Sequence, residues 1–254
     1  MESAAPTRIK LFWQPGCSSC LRTKEFLSKH GIDYDSINVH ADSEGMGQLQ
    51  ALGARSVPVV ALGSRFTLCQ SFDDVIRFLG LNVELSEPLS PEQLVTKLDL
   101  VLTAAARYTL QFPTRKFREF FRDRKRSAAD TAFHVFRVAE MGLLAAQQIE
   151  LLFEGFDDLP PADWSAQDIV HWGLQVRDRI RTWWVDADRS LQFTVPTYYG
   201  RHTMHNVMER TTWHAAHHTR QLVLMLEEYG VTPDTPLSAE DLKGLPVPEK
   251  VWDN

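Results

Sequence analysis

The pattern of hydrophobic residues changes once along this chain of 254 residues, near position 82. Before that point, short runs rich in β-branched and aromatic residues alternate with helical stretches. After it, long segments carry apolar residues at helical spacing, and no strand is predicted. Alternating strands and helices predict a sheet flanked by helices, whereas consecutive long helices predict a bundle. The sequence therefore predicts an α/β domain followed by an all-α domain.

Turn, proline and helix-capping residues set the expected boundaries of the domains and of their helices and strands. The α/β domain is expected at 1–82, with strands at 8–13 and 34–39, a hairpin at 57–69, and helices at 18–30, 44–52 and 72–79. A linker at 83–89 precedes Ser90-Pro91-Glu92-Gln93, which has the capping residues of a helix start. The bundle is expected at 90–230, with four helices of more than twenty residues each: about 90–112, 128–153, 165–188 and 203–229. The proline-rich segment 231–254 predicts an extended strap whose leucines and Trp252 pack on the bundle.

Composition limits the classes of function. Hydrophobic residues make up 44% and charged residues 24% of the chain, which is typical of a globular protein and not of a disordered one. No stretch approaches the roughly 20 apolar residues of a membrane span, and residues 1–7 lack the features of an export signal. We therefore expect a cytoplasmic protein that does not bind a membrane. The net charge of −6 argues against nucleic acid as a partner.

One segment departs from this acidic balance. Residues 115–126 contain seven basic and two acidic residues, and the basic ones are Arg115, Lys116, Arg118, Arg122, Arg124, Lys125 and Arg126. Such a run is most often a solvated connection between helices, and a site for an anionic ligand is the alternative.

Two of the three cysteines form a Cys-X-X-Cys pair, Cys17-Ser18-Ser19-Cys20, between a predicted strand and a predicted helix. A thiol at a helix N-terminus has a lowered pKa, because the helix dipole and the unpaired backbone N–H groups favour its thiolate. Cys17 is therefore the expected nucleophile, and Cys20, one turn later, is expected to resolve the mixed disulfide. Half of a zinc site is the alternative interpretation, but this domain has no second ligand pair nearby. Cys69 is expected to be a small core residue.

Residues 8–81 resemble a glutaredoxin of the thioredoxin fold. The resemblance is carried by the dithiol and by Ser56-Val57-Pro58, which stands where that family has a cis-proline loop facing the dithiol. It implies a cis peptide bond at Pro58 and implies that Val57 pairs with the backbone of the substrate.

Three histidines of the second domain form a candidate metal site. His214 and His218 are four residues apart on one predicted helix, so both lie on the same face. His134 lies in an apolar stretch of another predicted helix, where an unpaired imidazole would be costly to bury. Three imidazoles that leave one coordination position open are typical of a catalytic divalent metal site.

Residues 90–230 resemble a DinB-like (YfiT-like) bundle. The resemblance is carried by residues 198–203 and 206–214, by His218 and by Arg220-Gln221-Leu222. In that family, a histidine early in the second helix and an HxxxH pair in the last helix bind a divalent metal, and these positions match His134, His214 and His218. Characterised members include transferases that use a low-molecular-weight thiol. His171 as a further ligand or base, and Arg220 as an anion ligand, remain open.

The two halves together predict a thiol-dependent enzyme. In this hypothesis His134, His214 and His218 hold a divalent ion that activates a small thiol, while Cys17 and Cys20 reduce a disulfide or thiol adduct. Zinc is the first expectation for the ion, with nickel or iron as alternatives, because imidazole suits all three. The expected partners are a small-molecule thiol, a thiol conjugate or a protein disulfide, and a homodimer is left open. The alternatives are a plain disulfide reductase with the bundle as a docking or dimerisation module, and a non-enzymatic redox or metal sensor.

Overall fold

The computed structural model describes residues 8–122 and 124–252, which divide into two compact units. One unit, here called the α/β unit, comprises residues 8–86 together with 248–252. The other, the helical unit, comprises the described residues of 87–247.

The α/β unit contains a four-stranded sheet flanked by helices. Its strands are β1 (Ile9–Trp13), β2 (Asp35–Asn38), β3 (Val59–Leu62) and β4 (Arg65–Leu68), in the order β2-β1-β3-β4. Strands β1 and β2 are parallel, whereas β3 pairs antiparallel with both β1 and β4. The helices are α1 (Ser18–Lys29), α2 (Gly45–Ala51) and α3 (Phe72–Leu79). The predicted thioredoxin-type fold class is confirmed.

Apolar residues cover both faces of this sheet, since successive strand residues point to opposite sides. Phe12 and Val59 belong to one buried cluster, and their neighbours Leu11 and Val60 belong to another. The first cluster also contains Cys20 and Val57, so the end of the sheet that carries the dithiol is built on a packed core.

The helical unit is built around a bundle of four helices, as predicted. These are α4 (Pro91–Thr109), α5 (Ala128–Ala146), α6 (Ala166–Asp186) and α7 (Met204–Glu228). Both α6 and α7 pack against α4 and α5, and each helix contributes fully buried side chains to the core, among them Leu98, Phe136, Ile169 and Trp213. Capping boxes at Ser90, Ser127 and Ser165 satisfy the first backbone N–H groups of α4, α5 and α6.

Helices α5 and α7 approach each other closely at a glycine. A Cβ atom added at Gly142 of α5 would lie 2.6 Å from the hydroxyl oxygen of Thr211 on α7. This close approach also brings the side chains of the two helices together two turns away from Gly142, where His134 lies.

Two predictions about the bundle were wrong. Helices α4 and α5 have 19 residues each and not more than twenty, and α5 ends at Ala146 instead of near residue 153. The apolar spacing continues past the end of α5, but Gln148 has a positive φ of 64° and breaks the helix. The chain then forms a 3-10 turn at Glu154–Phe156.

The helical unit also contains a hairpin that the sequence did not predict. Strand β5 (Thr194–Thr197) pairs antiparallel with β6 (Gly200–Thr203) and leads directly into α7. Each strand has only four residues and β5 contains Pro196, so the pattern was too short and too interrupted to predict a strand.

The segment after the bundle differs from the expected strap. It contains the four-residue helix α8 (Ala239–Leu242). Residues 248–252, with the buried Trp252, belong to the α/β unit and not to the bundle. The reason is visible in the backbone: the N–H groups of Glu249 and Lys250 donate to the carboxylate of Glu25 on α1, at 2.7 and 3.0 Å. Among the described helices, none has the length and apolarity that crossing a membrane requires.

Candidate functional site

The first candidate centre is the dithiol at the start of α1. Cys17 is the N-cap residue of this helix, and its sulfur accepts a hydrogen bond of 3.1 Å from the backbone N–H of Cys20. The structure joins the two cysteines as a disulfide with their Cα atoms 5.1 Å apart, a separation that a disulfide allows. Cys17 is partly buried and Cys20 is fully buried. The accessible sulfur therefore lies where the N-terminal N–H groups stabilise a thiolate.

The loop before β3 meets the dithiol, as the sequence resemblance implied. The Val57–Pro58 peptide bond is cis, and Cys17 packs against the same apolar cluster that contains Val57. No residue that the structure describes makes a hydrogen bond to the backbone N–H or C=O of Val57. These groups are available to an extended substrate backbone, which is the role predicted for Val57 and Pro58.

Cys69 lies at the end of β4, apart from this centre. Its side chain is 1% exposed, and burial raises the pKa of its thiol to about 12. It is therefore a core thiol, as expected, and not a third reactive cysteine.

The second candidate centre is a cluster of three buried histidines in the helical unit. His134 projects from α5, and His214 and His218 project from α7. The ring centroids of His134 lie 5.3 Å from His214 and 4.6 Å from His218, and those of His214 and His218 are 4.9 Å apart. Each residue offers a ring nitrogen within 4.8 Å of the nitrogens offered by the other two. The structure thus brings together all three imidazoles that the sequence predicted to converge.

The interior of the bundle keeps these imidazoles neutral. Burial lowers the pKa of His134, His214 and His218 well below the ordinary value. The positive charge of Arg126 acts on all three in the same direction, and that of Arg210 acts on His134 and His214. A neutral imidazole has the lone pair that a metal ion requires.

The donor set fits a divalent ion. The Nδ1 atoms of His134 and His214 are buried without a hydrogen-bond partner among the described residues. Unpartnered buried nitrogens are costly, and metal coordination is one way to satisfy them. The Nδ1 of His218, by contrast, lies 2.7 Å from the amide oxygen of Gln221. Because that oxygen only accepts, Nδ1 of His218 carries the proton and Nε2 is left as the ligand atom.

Gln221 connects this cluster to a fourth buried histidine. Its amide nitrogen lies 3.2 Å from Nε2 of His217, which is 1% exposed. His217 is outside the three-histidine group.

Two arginines act electrostatically on the cluster. Arg210 precedes His214 by one helical turn and is buried, and its guanidinium donates to the hydroxyl of Tyr198 at 3.1 Å. The same guanidinium stacks over the ring of Phe156, 4.8 Å from its centroid, and that ring is 6.1 Å from the ring of His214. Arg126, directly before the N-cap of α5, is the second arginine.

The other residues that the sequence left open lie elsewhere. His171, which the sequence left open as a further ligand or base, is exposed on α6 and contacts Gln175 at 3.1 Å, so it is no fourth ligand. The apolar spacing around it was misleading because its neighbours Ile169 and Val170 face the core while position 171 does not. Arg220 acts electrostatically on His217.

Sequence reasoning did not single out Gln221, Arg126 or Arg210 for this centre. The spacing of three residues between His218 and Gln221 is a signal that could have been used, because such pairs meet on a helix surface. Arg126 comes from a loop, and no local spacing indicates that its charge acts on α7.

The sequence profile of the glutaredoxin family matches residues 9–67. An uncharacterised glutaredoxin-like 8.6 kDa protein from the rubredoxin operon of Clostridium pasteurianum is 36% identical over 53 residues, which are 20% of this chain and 71% of that protein. The gene 56 proteins of mycobacteriophages L5 and D29 are 42% identical over 53 residues and 38% identical over 55 residues. The chain spans only 52% and 61% of the length of these two phage proteins.

A solved structure is similar to the chain over a longer range. YfiT from Bacillus subtilis is 11% identical, with a TM-score of 0.44, and the match covers 60% of this chain and 96% of that protein. YfiT is described as a probable metal-dependent hydrolase with an unusual four-helix bundle topology.

Proposed function

Because this chain belongs to the glutaredoxin family through its N-terminal unit, we propose that it is a thiol-dependent enzyme with two centres. Cys17 and Cys20 reduce a disulfide or a mixed disulfide in the α/β unit. His134, His214 and His218 hold a divalent ion in the helical unit, where a low-molecular-weight thiol is transferred to an electrophile. The convergence of the three buried imidazoles is the observation that carries the proposal, since three neutral nitrogen ligands within 4.8 Å of one another suit a divalent ion.

The reduction follows from the position of the two sulfurs. The Cys17 thiolate attacks one sulfur of the substrate disulfide, and the other sulfur leaves as a thiolate that takes up a proton. The Cys20 thiolate then attacks the Cys17 sulfur, which releases the second substrate thiol and forms the Cys17–Cys20 disulfide. Two electrons pass from the dithiol to the substrate, and an external thiol must restore the dithiol. Val57 and Pro58 orient the substrate beside Cys17.

The histidine centre acts by binding and orientation. A divalent ion held there would act as a Lewis acid that favours the thiolate form of a bound thiol. Three protein ligands leave a coordination position for such a thiol. Gln221 holds the ring of His218 in the tautomer that presents Nε2. The apolar walls of the bundle restrict access of water.

The ion, the partners and the compartment are proposed from the chemistry of the ligand side chains and of the dithiol. Zinc is the ion proposed first, and nickel or iron would accept the same imidazoles. The partners are a small-molecule thiol or thiol conjugate and, for the dithiol, a protein disulfide. A dithiol that cycles between two states suits the reducing cytoplasm.

The test separates the two centres. Protein purified without chelators or affinity metals is analysed for bound metal and for metal-dependent consumption of small thiols. We expect His214→Ala to abolish both, while His171→Ala, which removes an exposed histidine, leaves both unchanged. Cys17→Ser should abolish disulfide reduction without changing the metal content, and Cys20→Ser should accumulate the mixed disulfide.

Two outcomes would favour another function. If His214→Ala leaves metal content and thiol consumption unchanged while Cys17→Ser abolishes reduction, the chain is a plain disulfide reductase whose bundle serves docking. If neither variant alters the turnover of any disulfide or thiol conjugate, a redox or metal sensor is the better account.

A further inference from the structure

The side chain of Tyr198 lies beside the helix that carries two of the three histidines. Tyr198 is in the turn between β5 and β6, where its backbone N–H donates to the carbonyl of Leu151 at 2.9 Å. Its hydroxyl oxygen accepts a hydrogen bond of 3.1 Å from the guanidinium of Arg210, which belongs to α7. The phenol is therefore fixed both at its backbone and at its hydroxyl.

The ring of Phe156 connects this hydroxyl with the histidine centre. Arg210 and His214 are four residues apart on α7, so their side chains lie on the same face, one turn apart. The centroid of the Phe156 ring is 4.8 Å from the guanidinium carbon of Arg210 and 6.1 Å from the ring centroid of His214. It is also 6.3 Å from the ring centroid of Tyr198. These distances place the phenol close enough to contact a small molecule that is bound at the histidines.

The hydroxyl of Tyr198 has a hydrogen-bond donor that the chain does not use. A guanidinium only donates, so the phenol oxygen accepts from Arg210 and its own proton remains to be donated. No residue that the structure describes accepts this proton. Burial raises the pKa of the Tyr198 hydroxyl, so the proton stays on the oxygen at neutral pH.

Tyr108, in the same unit, shows the hydrogen bonds of a structural tyrosine. Its hydroxyl accepts from the backbone N–H of Leu237 at 2.8 Å and donates to the backbone carbonyl of Thr235 at 3.0 Å. The chain thus uses both the acceptor and the donor of this fully buried side chain. Tyr198 has only the first of these two interactions, and a donor fixed in this position suits an acceptor atom on a ligand.

We propose that the Tyr198 hydroxyl donates a hydrogen bond to an oxygen atom of the electrophile, and that this oxygen becomes anionic as the thiol is transferred. The inference rests on the proposed function for the reaction. It adds a catalytic residue and a class of electrophile, which is one with an epoxide or carbonyl oxygen and not an alkyl halide. The positive charge of Arg210 beside the hydroxyl favours the same anionic oxygen.

The proposed step balances without an oxidant or a reductant. The thiolate sulfur forms a bond to a carbon of the electrophile, and the electron pair of the breaking C–O or π bond moves to the oxygen. That oxygen takes the proton of Tyr198, and the phenolate left beside Arg210 regains a proton from water. The proton that the thiol lost on forming its thiolate balances this uptake.

Binding is tested with 4-nitrophenolate as a stable oxyanion and nitrobenzene as its neutral counterpart. Titration calorimetry measures both affinities, above the pKa of nitrophenol, for full-length metal-free protein with the Cys17–Cys20 disulfide intact. We expect the wild type to bind the phenolate about tenfold or more tightly than nitrobenzene, which is the usual scale of a charge-assisted hydrogen bond. Tyr198→Phe should lower the affinity for the phenolate about tenfold and leave that for nitrobenzene unchanged.

Catalysis is tested with three electrophiles that share a phenyl group, using zinc-loaded protein and 2-mercaptoethanol as the thiol. Styrene oxide and benzylideneacetone move the electron pair to oxygen, whereas benzyl chloride releases chloride. Tyr198→Phe should lower kcat about 100-fold or more for an oxygen electrophile and leave kcat for benzyl chloride unchanged. A loss with styrene oxide alone assigns an epoxide, and a loss with benzylideneacetone alone assigns a carbonyl compound.

Tyr108→Phe is the matched control, because it removes a hydroxyl that the chain itself uses. It should lower the free energy of unfolding but leave the preference for the phenolate and for the oxygen electrophiles intact. An equal loss of these preferences in Tyr108→Phe and Tyr198→Phe would overturn the inference, since it would show a general effect of stability.

Equal affinity of the wild type and Tyr198→Phe for the phenolate would also overturn the inference. So would an equal fall in kcat for benzyl chloride and for both oxygen electrophiles. The binding measurement requires neither metal nor turnover, which keeps the two hypotheses apart. If the protein binds no zinc, the proposed function fails, but an affinity for the phenolate that depends on the Tyr198 hydroxyl still establishes the oxyanion site.

Discussion

At the scale of single residues, one side chain can supply a metal ligand while a neighbouring side chain determines which of its atoms is free to bind. His134, His214 and His218 supply the imidazoles, but Gln221 decides which nitrogen of His218 is available. The amide oxygen of Gln221 lies 2.7 Å from Nδ1 of His218 and can only accept a hydrogen bond, so it permits only the tautomer of His218 that is protonated at Nδ1.

Removing the amide of Gln221 should therefore weaken metal binding without removing a ligand. We expect Gln221→Leu to lower the affinity for zinc by about 10- to 100-fold, as is usual for the partner of a metal-binding histidine. Competition with a chromophoric chelator measures the affinity. Gln175→Leu removes the analogous partner of the exposed His171 and should have no effect. Equal affinity in wild type and Gln221→Leu would mean that Gln221 does not orient His218.

The three cysteines should react very differently. Burial raises the pKa of Cys69 to about 12, so this thiol stays protonated at pH 8, and the thiolate is the species that alkylates. In reduced native protein we expect iodoacetamide to label Cys17 and to leave Cys69 unlabelled, as read by peptide mass spectrometry. All three should be labelled in denaturant. Labelling of Cys69 at the same rate in native and denatured protein would contradict its burial.

At this scale the sequence predicted the residues whose spacing is local. The dithiol follows from Cys17 and Cys20 at a helix start, and the pair His214 and His218 follows from a separation of four. The burial of His134 could be argued from its apolar neighbours. Arg126 could not be placed, because its effect on α7 depends on how a loop packs against the bundle.

At the scale of elements, helix starts were easier to predict than helix ends. Ser90 and Ser127 each begin a helix through a capping box, which is visible as a serine followed three residues later by a side chain that returns the hydrogen bond. The end of α5 has no such signature. A run of apolar residues continues beyond Ala146, and the helix end becomes visible only in the structure, in the positive φ of Gln148 and in the bridge between Leu151 and Thr197.

The close approach of α5 and α7 gives a prediction for stability. An added methyl at Gly142 would lie within 2.7 Å of two Thr211 side-chain atoms, and Thr211 is buried and β-branched. We expect Gly142→Ala to lower the free energy of unfolding by about 1–3 kcal/mol, despite the better helix propensity of alanine. Urea unfolding followed by circular dichroism measures this change.

The matched control is another helical glycine. Gly47 lies in α2, and an added Cβ would contact nothing within 4 Å. Gly47→Ala should therefore raise stability by about 0.5–1 kcal/mol through helix propensity alone. The two substitutions should therefore change the free energy of unfolding in opposite directions. If Gly142→Ala were also stabilising, α5 and α7 would not be as close as the structure shows.

At the scale of the whole molecule, a bound ion should stabilise the folded helical unit. Because the imidazoles come from two helices, the folded protein binds the ion far better than the unfolded chain does. A free ion concentration of 100 times the dissociation constant adds about 2.7 kcal/mol, which raises the melting temperature by several degrees. Differential scanning calorimetry with zinc and with EDTA measures the shift.

A variant distinguishes this effect from binding at the dithiol. His134→Ala should abolish the zinc-dependent shift, whereas protein with the Cys17–Cys20 disulfide intact should keep it. A shift of equal size in His134→Ala would place the stabilising ion elsewhere on the chain.

The two-part architecture was predictable because a change of hydrophobic period is a property of the sequence itself. The α/β unit was predicted nearly element by element, since its strands and helices are short and each is bounded by turn residues. The assignment of residues 248–252 was wrong for a physical reason. Prolines indicate an extended chain but carry no information about which surface that chain will meet, and here two backbone N–H groups meet the carboxylate of Glu25.

This contribution of residues 248–252 has a consequence for biosynthesis. The α/β unit is discontinuous in the chain, because the segment that contacts α1 is translated only after the complete bundle. On the ribosome, the sheet can therefore form early, but Glu25 meets its two backbone donors only when the segment around Glu249 has emerged. A recombinant fragment that stops at residue 86 would remain in that immature state, so activity measured on such a fragment would describe a nascent intermediate of this unit and not its finished form.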